Sequence, residues 1–129
     1  HIGINKNPTM TTGYQVLLEF LITQHERDEP LLNKIKEYFK CGVVRNSNGR
    51  GNIRIYRIRN KEHLRDIIIP FFERNPLQTQ KKFDFEKFKE AFQLMEQREH
   101  LTEEGLEKIR KIRKEIGKKR LEQKNKRRE

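Results

Sequence analysis

The chain has 129 residues, 33% of them hydrophobic and 38% charged, with a net charge of +11, which suits one domain with a modest core rather than two. No stretch approaches the ~18 apolar residues of a helical membrane span, and the lone Cys41 excludes a disulfide framework and points to a reducing, intracellular compartment. Twelve Lys and Arg against four Glu lie in residues 106–129, so +8 of the charge is concentrated there and +3 is left for residues 1–105. A basic end on a nearly balanced body points to a polyanionic partner, nucleic acid first, with a merely solvated charged helix as the plain alternative.

The polar N-terminus begins with His rather than Met and has no signal-peptide pattern, as expected of a processed or incomplete chain. His1 to Ile4 reads as the end of a strand, and Asn5 to Gly13 as a loop with turn chemistry at Asn7, Pro8 and Gly13. Tyr14 to Thr23 alternates with period two, so one strand is predicted. Tyr14, Val16, Leu18, Phe20 and Ile22 share its apolar face, and Gln15, Leu17, Glu19, Leu21 and Thr23 the other. After a charged turn, Pro30 suits the first turn of a helix, and Leu31, Leu32, Ile35 and Phe39 are spaced to pack it on the strand.

Cys41 to Val44 reads as a further strand, joined by the Arg45 to Asn52 loop, with Gly49 and Gly51, to a strand over Ile53 to Arg59. In that last strand Ile53 and Ile55 claim one face, Tyr56 and Ile58 the other, and a bulge near Ile55 and Tyr56 would reconcile them. Asn60 can cap a helix over Lys61 to Phe72 with Leu64, Ile67, Ile68 and Phe71 inward. Phe85, Phe88, Phe92 and Met95 make a core stripe on a helix over Phe83 to Gln97. Thr102 caps the final helix, Glu103 and Glu104 suit its positive end, and Leu106, Ile109, Ile112 and Ile116 form a narrow apolar seam. Gly117 then closes the packed domain, residues 1–117, and residues 118–129 are a basic tail with almost nothing to bury.

The run ITQHERDEPLLNKIKEYFKCG, from Ile22 to Gly42, resembles the middle of a LAGLIDADG homing endonuclease domain. The apolar run that ends in Pro70, Phe71 and Phe72, and NPLQTQKKFDFEKF from Asn75, extend the likeness over Tyr14 to Ile116. The resemblance implies an α+β fold: a four-stranded antiparallel saddle sheet with helices on one face and DNA against the other. It also implies intron encoding and an organellar location. By register Lys81 falls where the family keeps its active-site lysine, and Gln24 where it keeps a polar partner.

The chain has no LAGLIDADG helix, whose acidic end in the family holds Mg²⁺ between water and the scissile phosphate. Asp28, Asp66 and Asp84 lie in segments the family uses for packing and connection. No metal ligand is therefore assigned, and the chain alone is expected not to cut DNA. Magnesium is expected only where a motif-bearing partner chain or second copy completes the site.

His1, His25, His63 and His100 lack the spacing of a zinc site, and no P-loop or G-x-S-x-G motif occurs. Arg45, Arg50, Arg54, Arg57 and Arg59 spread guanidinium groups through the central hairpin, where they suit phosphate or guanine edges. Gln15, Glu19 and Thr23 on the strand, Lys82, and Lys118, Lys119, Arg120, Lys124, Lys126, Arg127 and Arg128 in the tail complete the candidate nucleic-acid contacts. On the strand, Leu17 and Leu21 offer only apolar contact to a thymine methyl or to protein.

Three functions stay open. One is the DNA-binding part of a homing endonuclease. Another is a non-catalytic RNA-binding protein of that fold, an intron-splicing factor or an organellar ribonucleoprotein component. The third is a basic protein-interaction domain.

Overall fold

The computed structural model describes residues 1–47 and 49–128, without the side chains of Gln123, Lys126, Arg127 and Arg128. It divides into two compact units, one built from His1 and Glu19–Arg74, the other from Ile2–Leu18 and the segment from Asn75 onward.

In the first unit, β3 (Phe20–His25), β4 (Val43–Ser47) and β5 (Arg50–Ile58) form an antiparallel sheet in the order β3-β5-β4. Helix α1 (Glu29–Phe39) has Pro30 in its first turn and buries Leu32 and Phe39, whereas Leu31 lies outward at 48% exposure. It ends at Lys40 in the left-handed region. Gly42 follows at φ +88, where a Cβ would sit 2.8 Å from Ile58 and Tyr56 side-chain atoms and 2.9 Å from the Arg57 carbonyl oxygen. Only glycine satisfies both the backbone and that close approach. Tyr56 is fully buried, and its hydroxyl donates to the Cys41 carbonyl at 2.7 Å. Burial pushes both the Tyr56 and the Cys41 pKa up, so both stay neutral in ordinary conditions.

The last helical segment of this unit runs through α2 (Lys61–His63), a wide π turn (Leu64–Ile68) and α3 (Ile69–Arg74), with Asn60 Oδ1 accepting from the His63 N–H. Pro70 explains the wide turn. Proline has no N–H to give and its ring crowds the carbonyl four residues back, so an extra residue in the preceding turn relieves the clash. The extra residue also rotates the inward face. Leu64, Ile68 and Ile69 are buried, while Ile67 and Phe71 are only half-buried.

In the second unit, β1 (Ile2–Lys6) and β2 (Tyr14–Leu18) pair antiparallel from Ile2 opposite Leu18 to Lys6 opposite Tyr14. Their turn is tied by Asn7 and Gly13, whose backbones bond at 2.8 Å. Helix α4 (Thr79–Glu96) buries Phe88, Ala91 and Phe92. Helix α5 (Glu103–Arg128) buries Leu106, Ile109 and Ile112. Thr102 Oγ1 accepts from the Gly105 N–H at 3.0 Å as the cap, and the Arg110 guanidinium lies 4.6 Å from the Tyr14 ring centroid.

Three expectations change. Residues 14–23 are not one strand: β2 and β3 are separated at Glu19, whose N–H donates to the His1 carbonyl at 2.9 Å. The described residues thus hold five strands in two antiparallel ladders rather than four in one. No bulge interrupts β5 near Ile55 and Tyr56, because its pairing with β3 runs unbroken from Phe20 opposite Ile58 to His25 opposite Ile53. The irregularity lies instead nearer the hairpin tip of β5, where its pairing with β4 jumps from Arg54 opposite Asn46 to Arg50 opposite Ser47. Finally, α5 continues as helix through Gly117.

Candidate nucleic-acid interface

Cross-strand partners in an antiparallel sheet share a face, so register assigns every side chain of β3, β4 and β5. Phe20, Ile22 and Gln24 of β3 lie with Ile58, Tyr56 and Arg54 of β5, and with Val44 and Asn46 of β4. That is the core face. Phe20 meets Phe39 of α1, Tyr56 and Phe72 of α3 with ring centroids 5.6–6.4 Å apart. The opposite, open face carries Leu21, Thr23 and His25, then Arg57, Ile55 and Ile53, then Val43 and Arg45. Thr23 and Arg45 on it are exposed, and the other six are half-buried.

The central arginines therefore separate into two groups. Arg45 and Arg57 stand on the open face, and Arg50 is exposed beside Gly49 at the hairpin tip; Asn48 lies outside the described residues. Arg54 faces the other way. Its guanidinium is 3.4 Å from Glu26, 3.7 Å from Glu29 and 2.7 Å from the Gly51 carbonyl, and its side chain is 15% exposed. It fastens the hairpin to the start of α1 and is withdrawn from the candidate contacts. Arg59 is committed too, donating to the carboxylate of Glu19, a residue only 6% exposed. Glu19 is thus a buried structural acid held by Arg59, not a group offered to cytosine, because burying an unpaired carboxylate is costly. On the β1 and β2 pair, Gln15 is exposed and shares a face with Asn5, Gly3 and Leu17.

Gln24 sits on the core face of β3, half-buried and opposite Arg54. Lys81 is exposed within the first turn of α4, a helix that begins four residues before the predicted Phe83; Lys82 is exposed beside it. Lys118, Lys119, Arg120 and Lys124 are exposed on α5. Two of these are partly engaged with α4: Arg120 bonds Asp84 at 3.2 Å, and the Lys119 ammonium lies 5.8 Å from the Phe83 ring centroid. The stretch is docked rather than free of contacts. The candidates Lys126, Arg127 and Arg128 lie, as side chains, outside the described residues. The sequence reading missed Lys111, Arg113 and Lys114, exposed on α5 before Gly117, although helical spacing from Ile109 and Ile112 puts them outward. It also missed Ile53, Ile55, Val43 and His25 on the open face. His25 Nδ1 accepts from the Arg27 N–H at 3.2 Å, which closes the turn before α1.

The described acids do not fit a divalent cation. Asp66 is held by Arg65 at 2.9 Å, which keeps its carboxyl below the usual range. Asp84 accepts from Gln80 at 2.7 Å and from Arg120, and Glu115 is paired at 2.9 Å with Lys87, whose ammonium it holds above its ordinary range. Among the described residues no three His, Cys, Asp or Glu side chains gather as a ligand set.

The two arginine groups predict different losses. Arg54→Ala should destabilise the protein by about 1 kcal/mol, since two exposed carboxylates lose their partner. Arg57→Ala should leave stability within about 0.5 kcal/mol and weaken nucleic-acid binding about tenfold. Thermal denaturation and a binding titration of both variants check this. Equal losses of stability would mean that the face assignment is wrong.

The sequence profile of the LAGLIDADG endonuclease family matches residues 1–92. The crystal structure of the homing endonuclease I-TnaI superposes with a TM-score of 0.82 at 40% identity, covering 95% of this chain and 86% of that one. I-SmaMI, bound to an uncleaved DNA target in the presence of calcium ions, matches with a TM-score of 0.83 at 31% identity over 87% of this chain and 38% of its own. "Probable intron-encoded endonuclease 2" of Neurospora crassa is 37% identical over 98 residues, which are 76% of this chain and 22% of that relative. The chain thus spans about a fifth of the length of such curated relatives. With most of its length inside the family profile and near-complete overlap with a solved homing endonuclease, the chain belongs to the LAGLIDADG endonuclease family.

Proposed function

We propose that these 129 residues are the DNA-recognising part of an intron-encoded homing endonuclease that works in an organelle. The observation that carries this is the open face of β3, β5 and β4, which sets Arg45 and Arg57 outward while the core lies wholly on the other side. The likeness to a relative solved bound to a DNA target supports duplex DNA as the partner, and the major groove is where side chains of such a face could read base edges. Arg50 at the hairpin tip, Gln15 and Thr23 on the strands, Lys82 on α4 and the basic side of α5 then meet phosphate and sugar, which position the protein without reading sequence.

By family likeness Lys81 is assigned as a cation near the developing charge of the phosphodiester to be cut. The same likeness would make Gln24 a polar partner, but Gln24 lies on the core face of β3 opposite Arg54, away from the open face laid on DNA, and is given no contact there. The polypeptide by itself binds without cleaving: Asp66, Asp84 and Glu115 are engaged with cations, and among the described residues no three His, Cys, Asp or Glu side chains gather as a ligand set. Cleavage then needs an acidic helix supplied by another segment or a second copy.

The test is a titration of the protein against duplex DNA pools and structured RNA, with Mg²⁺ present and products run on a denaturing gel. Salt-sensitive duplex binding without nicking is expected. Once cleavage is reconstituted with a motif-bearing helix or domain, Lys81→Ala should abolish cutting while retaining binding. Tighter binding to RNA than to DNA would favour the non-catalytic ribonucleoprotein reading. No binding to either would leave the protein-interaction reading.

A further inference from the structure

The fold itself does not require branched apolar side chains on the open face. A solvated face of an antiparallel sheet normally carries polar residues. Here Leu21, Val43, Ile53 and Ile55 all stand on it, half-buried, while Tyr56 and Ile58 fill the core on the other side. They are also interleaved with charge. One cross-strand row reads Leu21, Arg57, Val43, and the next reads Thr23, Ile55, Arg45.

Arginines set among branched hydrocarbons suit neither an apolar protein core nor an acyl-chain surface. They suit a surface that offers anions and isolated methyl groups together. The major groove of duplex DNA does so: phosphates line its walls, guanine presents two acceptors to arginine, and thymine alone among the four bases presents a methyl group. Two neighbouring strands, their axes about 5 Å apart, make a ribbon of the size that the ~12 Å wide groove admits.

Resting on the DNA-recognising function proposed above, we infer that Leu21, Val43, Ile53 and Ile55 read thymine methyl groups. The duplex under this sheet is then thymine-rich, with guanine where Arg57 reaches the base edge. The aliphatic side chains exclude water from the methyls, and the flanking hydrocarbon limits the directions in which the Arg57 guanidinium can point.

The experiment selects bound sequences from a random duplex pool with the 129-residue protein, then resynthesises the best site with deoxyuridine for thymidine. Uracil keeps every hydrogen-bonding group and loses only the methyl. Each methyl under the sheet should cost about fourfold in affinity, the equivalent of ~0.8 kcal/mol for one buried methyl-sized group. Three together should cost about 60-fold. Ile55→Ser and Ile53→Ser lie outside the core, so both variants should fold and should no longer distinguish thymine from uracil at the positions they touch. Equal affinity for the thymine and uracil duplexes, or selected sites without thymine, would overturn the inference while leaving DNA recognition intact. A protein that retains no duplex from the pool would overturn both.

Discussion

Gly42→Ala is expected to destabilise the protein by about 2–5 kcal/mol. About 1–2 kcal/mol comes from placing a Cβ at φ +88, and about 1–3 kcal/mol from forcing it into a filled core. The contacts leave no soft escape. One neighbour is the backbone carbonyl of Arg57, 2.9 Å from the added carbon, and another is the ring of the fully buried Tyr56. Moving either would disturb the bond from Tyr56 to the Cys41 carbonyl and the pairing of β5 with β4. Chemical denaturation of the variant measures the loss. Gly49→Ala is the control, because Gly49 also has a positive φ but nothing lies within 4 Å of its added Cβ. A loss at Gly42 no larger than the one at Gly49 would show that the close packing behind α1 is not as described.

Deleting residues 118–129 should lower the slope of log affinity against log salt by about three to five units. The segment contains seven Lys and Arg, and each phosphate neutralised contributes about 0.9 to the slope on duplex DNA. Fewer than seven contacts are expected because Arg120 is partly held by Asp84 and Lys119 lies over Phe83. The fold should survive, since these residues bury little and Leu121 is 59% exposed. A salt titration of the intact and shortened proteins is the measurement. Identical slopes would assign the electrostatic contribution to Arg45, Arg50, Arg57 and the earlier part of α5.

Much of this architecture is legible in the chain, and the misses share a cause. Alternation from Tyr14 onward gives the right faces, and Val16 and Leu18 are buried as predicted, because period two is a property of the backbone alone. Thr102, Asn60 and Pro30 mark helix starts through local chemistry that acts over three residues. What fails depends on partners distant in sequence. Glu19 reads as an exposed polar residue until Arg59, forty positions away, accounts for its burial. Arg54 reads like Arg57 until β3 fixes which face each occupies.

A bulge near Ile55 is required only if every isoleucine of β5 must face the core, whereas Ile53 and Ile55 stand on the open face in an unbroken pairing with β3. The wide turn before Pro70 had a visible signal, a proline in a helical pattern, whose answer is a change of pitch rather than a kink or a stop. For Gln24 and Lys81 the sequence offers family register, and the residues' own chemistry adds little to it.

If the open face recognises duplex DNA as proposed, Arg54 gives that surface a kinetic character. Gripped from the core side by Glu26 and Glu29, it holds the β4 and β5 hairpin to the start of α1 before any duplex arrives. The hairpin's freedom is thus surrendered during folding rather than at encounter, and the disorder lost on docking is confined to outward side chains such as Arg45 and Arg50. A surface already in shape forms its complex at a rate set by diffusion and long-range attraction, without waiting for loop closure. Differences in affinity among related target sequences then reside in how long each complex lasts.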